Sequence, residues 1–240
     1  MSRALVVLSG GQDSTTCLFW AKQNFDEVEA ISFNYGQKHA VEMASAVKVS
    51  LLAQVNHEVV DVPGILKSRS PLTDPNVTLE TYSDYNTMDK VIGDRVELTF
   101  VPMRNAFFLT LAANRALYKD IYNLVTGVCQ MDNANYPDCR KDFINVQQDT
   151  INTALGVPNG VFKIHTPLIY LSKADSVKLA RKLPGCWEAL AYSHTCYAGK
   201  VPPCILTEAQ ACHACTLRQH GFEEAGETDP LLARFRGVAA

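Results

Sequence analysis

The sequence predicts an α/β protein with a doubly wound parallel sheet and a cysteine-rich C-terminal appendage. Apolar runs typical of buried parallel strands alternate with helix-like stretches over residues 4–62. A glycine-rich turn follows the first of these runs at residues 9–11. Four of the eight cysteines crowd into residues 196–215. We therefore predict a main α/β domain over residues 1–185 and an appendage over residues 186–240.

The first predicted elements are a strand over residues 4–8, a turn, and a helix from residue 13 to beyond residue 20. The adjacent Gly10 and Gly11 permit positive φ and close approach of a ligand to the backbone. A helix N-terminus after such a turn presents unpaired N–H groups and a positive dipole end, which together favour phosphate. The alternative is an ordinary strand–turn–helix unit that is rich in small residues.

The turn is neither a Walker A loop nor a dinucleotide-binding fingerprint, because it has the spacing of neither. Its sequence Ser-Gly-Gly-x-Asp-Ser-Thr resembles the PP-loop of the N-type ATP pyrophosphatases, which cleave ATP between its α and β phosphates. The resemblance implies that the loop holds pyrophosphate while an acceptor oxygen takes the adenylyl group. The ATP-binding residues it implies are Leu8, Ser9, Gly10, Gly11, Gln12, Asp13, Ser14, Thr15, Thr16, Cys17 and Leu18.

Alternating strands and helices continue after the loop, with strands over residues 27–33 and 56–62 around a helix over residues 40–53. The turn at residues 35–39 lies at a carboxyl strand end, where ligands of such sheets bind. Regular apolar spacing is then lost over residues 63–95. This segment reads as a lid or binding loop whose Tyr82 and Tyr85 stack on a ring, or as a disordered surface insertion.

The second half of the predicted domain begins with a helix over residues 106–117, preceded by Arg104 and Asn105, a pair that can meet an anion. Further strands are predicted over residues 121–125 and 162–165, and further helices over residues 141–154 and 173–183. Ser172 is the expected cap of the last helix. The loop at residues 130–140 carries more acidic, amide and aromatic side chains than a turn requires.

Charge and hydropathy argue against several classes of partner. The net charge of −3 and pI near 6.1 give no electrostatic case for direct binding to nucleic acid or to a membrane. No basic-then-apolar signal sequence is present, and no apolar run reaches the roughly 18 residues that a membrane span needs. We therefore expect a cytoplasmic protein.

The cysteine cluster reads as a metal site. In a reducing compartment, such crowding indicates metal ligation before disulfides, and four thiolates suit tetrahedral Zn²⁺. A redox CxxC is the alternative, and His194 or His213 could replace a thiol if Cys204 lies too far away. Cys139 is the best candidate for an isolated reactive thiol, although most lone cysteines are small buried hydrophobes. The expected ligands are Cys196, Cys204, Cys212 and Cys215.

Taken in order, the motifs resemble the 7-cyano-7-deazaguanine synthase family of the queuosine pathway, within the PP-loop superfamily. The resemblance covers about residues 3–222. Two features depart from the family's usual pattern: Met103 stands where glycine is usual, and Cys204 lies across an insertion from the expected Cys-x2-Cys-x2-Cys spacing. The motifs are residues 9–18, Tyr35-Gly36-Gln37-Lys38-His39, Pro102-x-Arg104-Asn105, Tyr136-Pro137-Asp138-Cys139-Arg140, Thr166-Pro167-Leu168, Cys196-Tyr197 and Cys212-x2-Cys215-x-Leu217-Arg218-x2-Gly221-Phe222.

The resemblance implies an adenine-nucleotide-α-hydrolase-like fold and a carbon–nitrogen ligase that uses ATP, Mg²⁺ and Zn²⁺. The substrate carboxylate of 7-carboxy-7-deazaguanine would be adenylated and then attacked by ammonia. A second adenylation, on the amide oxygen, would permit dehydration to the nitrile. The implied catalytic residues are Ser9, Asp13, Lys38 and Arg104, with Asp13 also a ligand to Mg²⁺. The implied substrate-binding residues are Tyr35, Gln37, His39, Asn105, Asp132, Tyr136, Asp138 and Arg140.

Other readings stay open on the sequence alone. Any of these side chains can instead serve a structural ion pair or a loop hydrogen bond. A tRNA-thiolating or asparagine-synthase-like PP-loop enzyme would keep the fold and change the substrate. A nearer relative would stop at the amide or attach a deazaguanine to a macromolecule. A zinc-stabilised binding module with a vestigial ATP site belongs to another class, and a homodimer is compatible with each reading.

Overall fold

A computed structural model describes residues 1–36, 40–131 and 135–238. The strands are β1 (Arg3–Val7), β2 (Glu27–Asn34), β3 (Asn56–Asp61), β4 (Thr81–Tyr82), β5 (Asn123–Val125), β6 (Lys163–His165) and β7 (Ala211–Cys212). The helices are α1 (Gln12–Asn24), α2 (Ala40–Ala53), α3 (Tyr85–Ile92), α4 (Arg104–Tyr118), α5 (Lys141–Ala154), α6 (Lys173–Lys182), α7 (Cys186–Leu190), α8 (Cys204–Thr207), α9 (His213–Ala225) and α10 (Pro230–Arg236), with a 3₁₀ turn at Pro137–Cys139.

Five strands form the central parallel sheet in the order β3-β2-β1-β5-β6, which confirms the predicted doubly wound architecture. In this sheet β1 pairs with β2 on one side and with β5 on the other. The chain therefore reverses its winding between β1 and β5. Ligands of open α/β sheets bind at the carboxyl ends of the strands beside such a reversal.

Two apolar cores cover the two faces of the sheet. Successive residues of a strand point to opposite faces, and β1 follows this rule: Val6 joins the core beneath α1, α6 and α7, whereas Leu5 joins the core beneath α4 and α5. Leu18 and Leu190 belong to the first core, and Ile144 belongs to the second. This three-layer packing fixes the strand ends that carry the site.

The segment over residues 63–95 is more ordered than either interpretation of its sequence predicts. Asp84 caps α3 by accepting a 2.8 Å hydrogen bond from Thr87 N. Tyr82 is buried in a small core with Met88, Ile92 and Leu217. Tyr85 stacks on His220, with ring centroids 3.6 Å apart. The expectation of a disordered insertion or a ligand-stacking lid was therefore wrong for residues 81–92, because both tyrosines pack against the protein itself.

The C-terminal segment is interwoven with the rest of the chain. Strand β4 pairs antiparallel with β7, and α9 packs against α6. Helix α7 contributes Cys186, Trp187 and Leu190 to the first core. The boundary near residue 185 stays a prediction. No helix in the described part of the chain is long and apolar enough to cross a membrane.

Candidate active site

The glycine-rich loop is held tightly against α2. Gly10 has a φ of 88°, and a Cβ built there would lie 2.3 Å from Glu42 O and 2.7 Å from Ala46 N. Only glycine therefore permits both this backbone conformation and this approach. On the other side of the loop, the backbone carbonyl of Gly10 accepts a 2.8 Å hydrogen bond from His194 N. The loop is clamped between α2 and the segment that leads to the cysteine cluster.

Hydroxyl groups brace the same loop from within. Ser9 N donates to Ser14 Oγ at 3.2 Å, and the two serine Oγ atoms lie 3.0 Å apart. Thr15 Oγ1 donates to Gly11 O at 2.8 Å. Helix α1 starts at Gln12 without a side-chain cap, so its first backbone N–H groups have no partner from the cap. The loop and helix start therefore have the features that favour binding of an anion.

A cavity of about 290 Å³ opens at this edge of the sheet. It brings together side chains that the sequence had placed in four separate motifs. The predicted site residues that line it are Leu8, Ser9, Gly11, Gln12, Asp13, Ser14, Tyr35, Arg104, Asn105, Tyr136 and Arg140.

Other predicted site residues lie elsewhere. Thr15, Thr16, Cys17 and Leu18 are buried in α1 behind the loop, and Gly10 supports the loop from the α2 side. Asp138 is absent from the cavity lining; its Oδ2 accepts a 3.2 Å hydrogen bond from Asn105 N, and burial raises the pKa of this carboxyl. Gln37, Lys38, His39 and Asp132 lie outside the described residues.

Arg104 brings a positive charge to the cavity. Burial alone would lower the pKa of this guanidinium, but Tyr35, Tyr197 and Tyr136, which are negatively charged at the high pH where an arginine titrates, raise it above its ordinary value. The pKa of each of these phenols is itself raised, chiefly by burial, so all three are neutral at pH 7. Arg104 forms no ion pair with any described residue within 4 Å. Its charge is thus available to an anionic ligand.

Sequence reasoning missed Lys173, the first residue of α6. Its Nζ lies 2.9 Å from Asp13 Oδ2, and its side chain is only 8% exposed. Gly221 of α9 leaves the room for its stem, since a Cβ on Gly221 would lie 2.3 Å from Lys173 Cγ. The available signal was a basic residue directly after Ser172, the cap of the helix that follows β6.

Glu42 was also missed, although it lies in the first turn of α2, next along the chain from the carboxyl end of β2. It lines the cavity near Arg104. Burial raises the pKa of the Glu42 carboxyl to about 7, even though Arg104 acts to lower it. The available signal was an acidic residue in the first turn of the helix that follows the carboxyl end of β2.

One wall of the cavity is aromatic. Phe33 and Phe108 stack with ring centroids 4.6 Å apart and planes 11° apart, and Tyr35 lies 5.3 Å from Phe108. Such a wall suits a flat heterocycle. The Tyr136 hydroxyl bonds to Thr99 Oγ1 and donates to Glu97 Oε2 at 3.1 Å. Its ring lines the cavity.

The four clustered cysteines meet in a buried group, with Sγ atoms all within 4.8 Å of one another. Tetrahedral Zn²⁺ with bonds of about 2.3 Å needs sulfur atoms about 3.8 Å apart, so the donor set fits a metal of this kind. Cys212 N donates to Cys204 Sγ at 3.3 Å, and hydrogen bonds from the other three thiols lower the pKa of Cys196. Cys204 thus joins the cluster despite its unusual spacing.

Two alternatives for the cluster can be weighed on this geometry. Cys204 lies within 4.8 Å of the other three sulfur atoms, so no histidine is needed in place of a thiol. His194 and His213 line the cavity, and His194 also hydrogen-bonds to Cys196. The Cys212–Cys215 pair does lie at a helix start directly after β7, as a redox pair would. The two further thiols within 4.8 Å favour metal binding over redox chemistry.

Comparisons with known proteins identify close relatives along nearly the whole chain. The family model described as "Queuosine biosynthesis protein QueC" matches residues 3–226. The chain is 47% identical over 236 residues to 7-cyano-7-deazaguanine synthase of Laribacter hongkongensis, covering 98% of this chain and 96% of that protein. It is 45% identical over 240 residues to the synthase of Chromobacterium violaceum, covering 99% and 96%.

Among solved structures the likeness is looser. A "predicted subunit of tRNA methyltransferase" from Methanocaldococcus jannaschii is 13% identical, with a TM-score of 0.45, and the match covers 76% of this chain and 75% of that one. The fold assignment therefore rests on the strand order of the chain itself.

Proposed function

The chain belongs to the QueC family of queuosine biosynthesis proteins, and we propose that it forms 7-cyano-7-deazaguanine from 7-carboxy-7-deazaguanine, ammonia and ATP. The observation that carries this proposal is the 47% identity to a 7-cyano-7-deazaguanine synthase over nearly the full length of both chains. The geometry of the cavity supports it, because a braced glycine-rich loop, a guanidinium that forms no ion pair with a described residue and an aromatic wall surround one space.

The loop and Lys173 hold the β and γ phosphates of ATP. The α1 N-terminus and the serine hydroxyls provide hydrogen bonds, and Lys173 adds a charge that is fixed by its packing. The Asp13 carboxylate suits Mg²⁺, which prefers oxygen ligands and supplies positive charge to the departing pyrophosphate. Residues 9–14 therefore bind the leaving group.

Arg104 acts at the α-phosphate. An oxygen of the substrate carboxylate attacks the α-phosphorus, and the bond between that phosphorus and the β-phosphate oxygen breaks to release pyrophosphate. Negative charge grows on the α-phosphate oxygens during this step, and a preorganised cation in a closed site offsets it. Because its phenol neighbours are neutral, Arg104 remains free for that role. Lys38 stays a second candidate for it.

Ammonia then displaces AMP from the acyl-adenylate to give the amide. The amide oxygen attacks a second ATP, which again releases pyrophosphate. The nitrogen loses both protons while the carbon–oxygen bond breaks, and the oxygen leaves with AMP. We assign substrate binding to Tyr35, Asn105, Tyr136 and Arg140, which line the cavity, and keep Gln37, His39, Asp132 and Asp138 as candidates from the family motifs.

We assign the four-cysteine cluster to structural Zn²⁺, because its thiols are buried and leave no open coordination position. Thiolate ligands need a reducing compartment, so we keep the cytoplasm as the expected location. Residues 186–240 would form the zinc-bearing appendage of a main domain over residues 1–185. A homodimer remains the assembly to test by sedimentation.

Mass spectrometry of the purified protein with ATP, ammonium and 7-carboxy-7-deazaguanine tests the proposed reaction. Nitrile formed together with AMP supports it. Amide without nitrile identifies an enzyme that stops at the first stage. ADP in place of AMP contradicts adenylation. The absence of nucleotide turnover would favour the alternative of a binding module with a vestigial ATP site.

A further inference from the structure

Glu42 carries a carboxylate that the reaction described so far does not use. It projects from the first turn of α2 and lines the cavity. The packing of Gly10 against the Glu42 carbonyl fixes that turn beside the phosphate loop. The carboxylate makes no hydrogen bond or ion pair with any described residue within the usual distance limits. A carboxylate in such a position is available to a ligand.

The charged and polar groups near Glu42 indicate which part of the cavity it faces. Arg104 of α4 is its principal charged neighbour, and Cys196 adds a smaller electrostatic influence. Tyr35 and Tyr197 are also close enough for Glu42 to raise their pKa. Since Arg104 belongs at the α-phosphate, a carboxylate beside it lies near the oxygen and nitrogen that are joined to the adenylated carbon.

The two halves of the proposed reaction differ in their need for a base. When ammonia adds to the acyl-adenylate, the new nitrogen carries a positive charge and loses a proton readily. After adenylation of the amide oxygen, the first proton also leaves a cationic nitrogen. The last proton leaves a neutral imidate nitrogen, whose N–H is a weak acid. That bond must break while the C≡N bond forms and AMP departs, so a positioned base accelerates this step most.

We propose that Glu42 is the catalytic base that removes this last proton in the dehydration of the adenylated amide to the nitrile. The proposal rests on the proposed function. The electron pair of the N–H bond becomes the third C–N bond, the carbon–oxygen electrons leave with AMP, and the proton moves to the Glu42 carboxylate. Burial raises the pKa of the Glu42 carboxyl to about 7, a value suited to a group that accepts and then releases a proton near neutral pH.

The test separates the two half-reactions in the full-length, zinc-loaded protein. Glu42→Gln should keep the conversion of acid to amide within about threefold of the parent rate. With 7-amido-7-deazaguanine and ATP as the starting materials, the same variant should form nitrile about 10²-fold more slowly, the usual scale of general base catalysis. Amide should therefore accumulate, with less AMP released for each substrate consumed.

Two further variants complete the experiment. Glu42→Asp should restore part of the nitrile rate, since it keeps the carboxylate, and it also serves if the glutamine variant fails to fold. Glu188→Gln changes an exposed carboxylate on α7 and should leave both half-reactions at parent rates. An unchanged ratio of nitrile to amide in Glu42→Gln overturns the proposal, as does an equal loss in both halves, which would assign Glu42 to substrate binding. Failure of the parent itself to release AMP would overturn the proposed function.

Discussion

Arg104 forms no ion pair within 4 Å with any residue in the described part of the chain. Three phenols that are neutral at pH 7 lie near it, and Glu42 is a nearby carboxyl whose pKa is raised. We expect Arg104→Ala to lower the rate of AMP formation by about 10²–10³-fold, the range seen when one stabilising donor is removed from a transition state. The free energy of unfolding should change little, because no ion pair to a described residue is lost.

Pyrophosphate release measured at saturating ATP gives that rate directly. Arg104→Lys shows whether a positive charge without the planar guanidinium group suffices. Arg95→Ala is a suitable control, because Arg95 pairs with Glu80 in the segment before α4 and does not line the cavity. Parent-like AMP formation in Arg104→Ala would show that the guanidinium has no part in adenylation.

Met103, immediately before Arg104, is in a conformation that disfavours its side chain. It is the N-cap of α4 with a φ of 66°, in the left-handed region, and its side chain is mostly exposed. A non-glycine residue there costs about 1–3 kcal/mol, whereas glycine adds about 0.5–1 kcal/mol of chain entropy to the cost of folding. Met103→Gly should therefore raise the free energy of unfolding by about 1 kcal/mol, the difference between the middles of these two ranges.

Urea unfolding of the parent, Met103→Gly and Met103→Ala measures this difference. The alanine variant should not gain stability, because it keeps the Cβ. A glycine variant no more stable than the alanine variant would show that the left-handed backbone carries no strain.

At the residue scale, the sequence pointed to the loop and Arg104, which line the cavity, but not to Glu42 or Lys173, which line it too. The loop residues are contiguous, so their motif is visible in one stretch of sequence. Glu42 and Lys173 become site residues only because α2 and α6 begin at the same edge of the sheet. Asp138 shows the opposite case: its motif position suggested the cavity, yet the unpaired N–H at the start of α4 attracts its carboxylate.

At the scale of the elements, apolar periodicity predicted the sheet well. The helix predicted over residues 40–53 has those bounds in the structure, and the strand predicted over residues 27–33 ends one residue later. The short strand β4 and its neighbour α3 could not be predicted in this way. Thr81 pairs with Cys212, which is far along the chain, so no local sequence pattern predicts the pairing.

The contact between α6 and α9 determines how Lys173 reaches the phosphate loop. Gly221 has no Cβ, and the Lys173 stem occupies the space that a Cβ would take. Gly221→Ala should displace the ammonium from Asp13 and lower kcat about 10²-fold, since misplacement by about 1 Å can have this effect. Overpacking should also lower the free energy of unfolding by about 1–3 kcal/mol.

A double-variant cycle with Lys173→Ala shows whether Gly221 acts through Lys173. In the Lys173→Ala background, Gly221→Ala should reduce the remaining rate by less than about threefold, because no ammonium is left to misplace. Glu224→Ala, at an exposed position of the same helix, controls for general effects on α9. Losses that multiply independently in the double variant would make Gly221 a packing residue only.

For the whole molecule, the cysteine cluster and the phosphate loop form one connected unit. Helix α9 begins beside Cys212, includes Cys215, and carries both Gly221 and the cavity-lining Arg218. Arg218 is fixed by two hydrogen bonds to Asp229, at 2.7 and 2.8 Å. The segment before Cys196 donates to Gly10 of the loop. The segment with the cysteine cluster therefore packs against groups that line the cavity.

Cys204 provides the sharpest test of this connection, because it is the cluster member that the spacing of the family motif does not supply. Cys204→Ser should reduce bound zinc well below one equivalent and lower the Tm by about 10 °C, given about 2–4 °C per kcal/mol for a chain of this size. ATP binding should weaken in parallel, since α9 positions Lys173.

Metal analysis, calorimetry and ATP titration of one preparation measure all three quantities. Cys139→Ser should keep its zinc, because Cys139 lies outside the cluster. Full zinc content in Cys204→Ser would remove Cys204 from the ligand set, and zinc loss without weaker ATP binding would show that the cluster and the phosphate loop are independent.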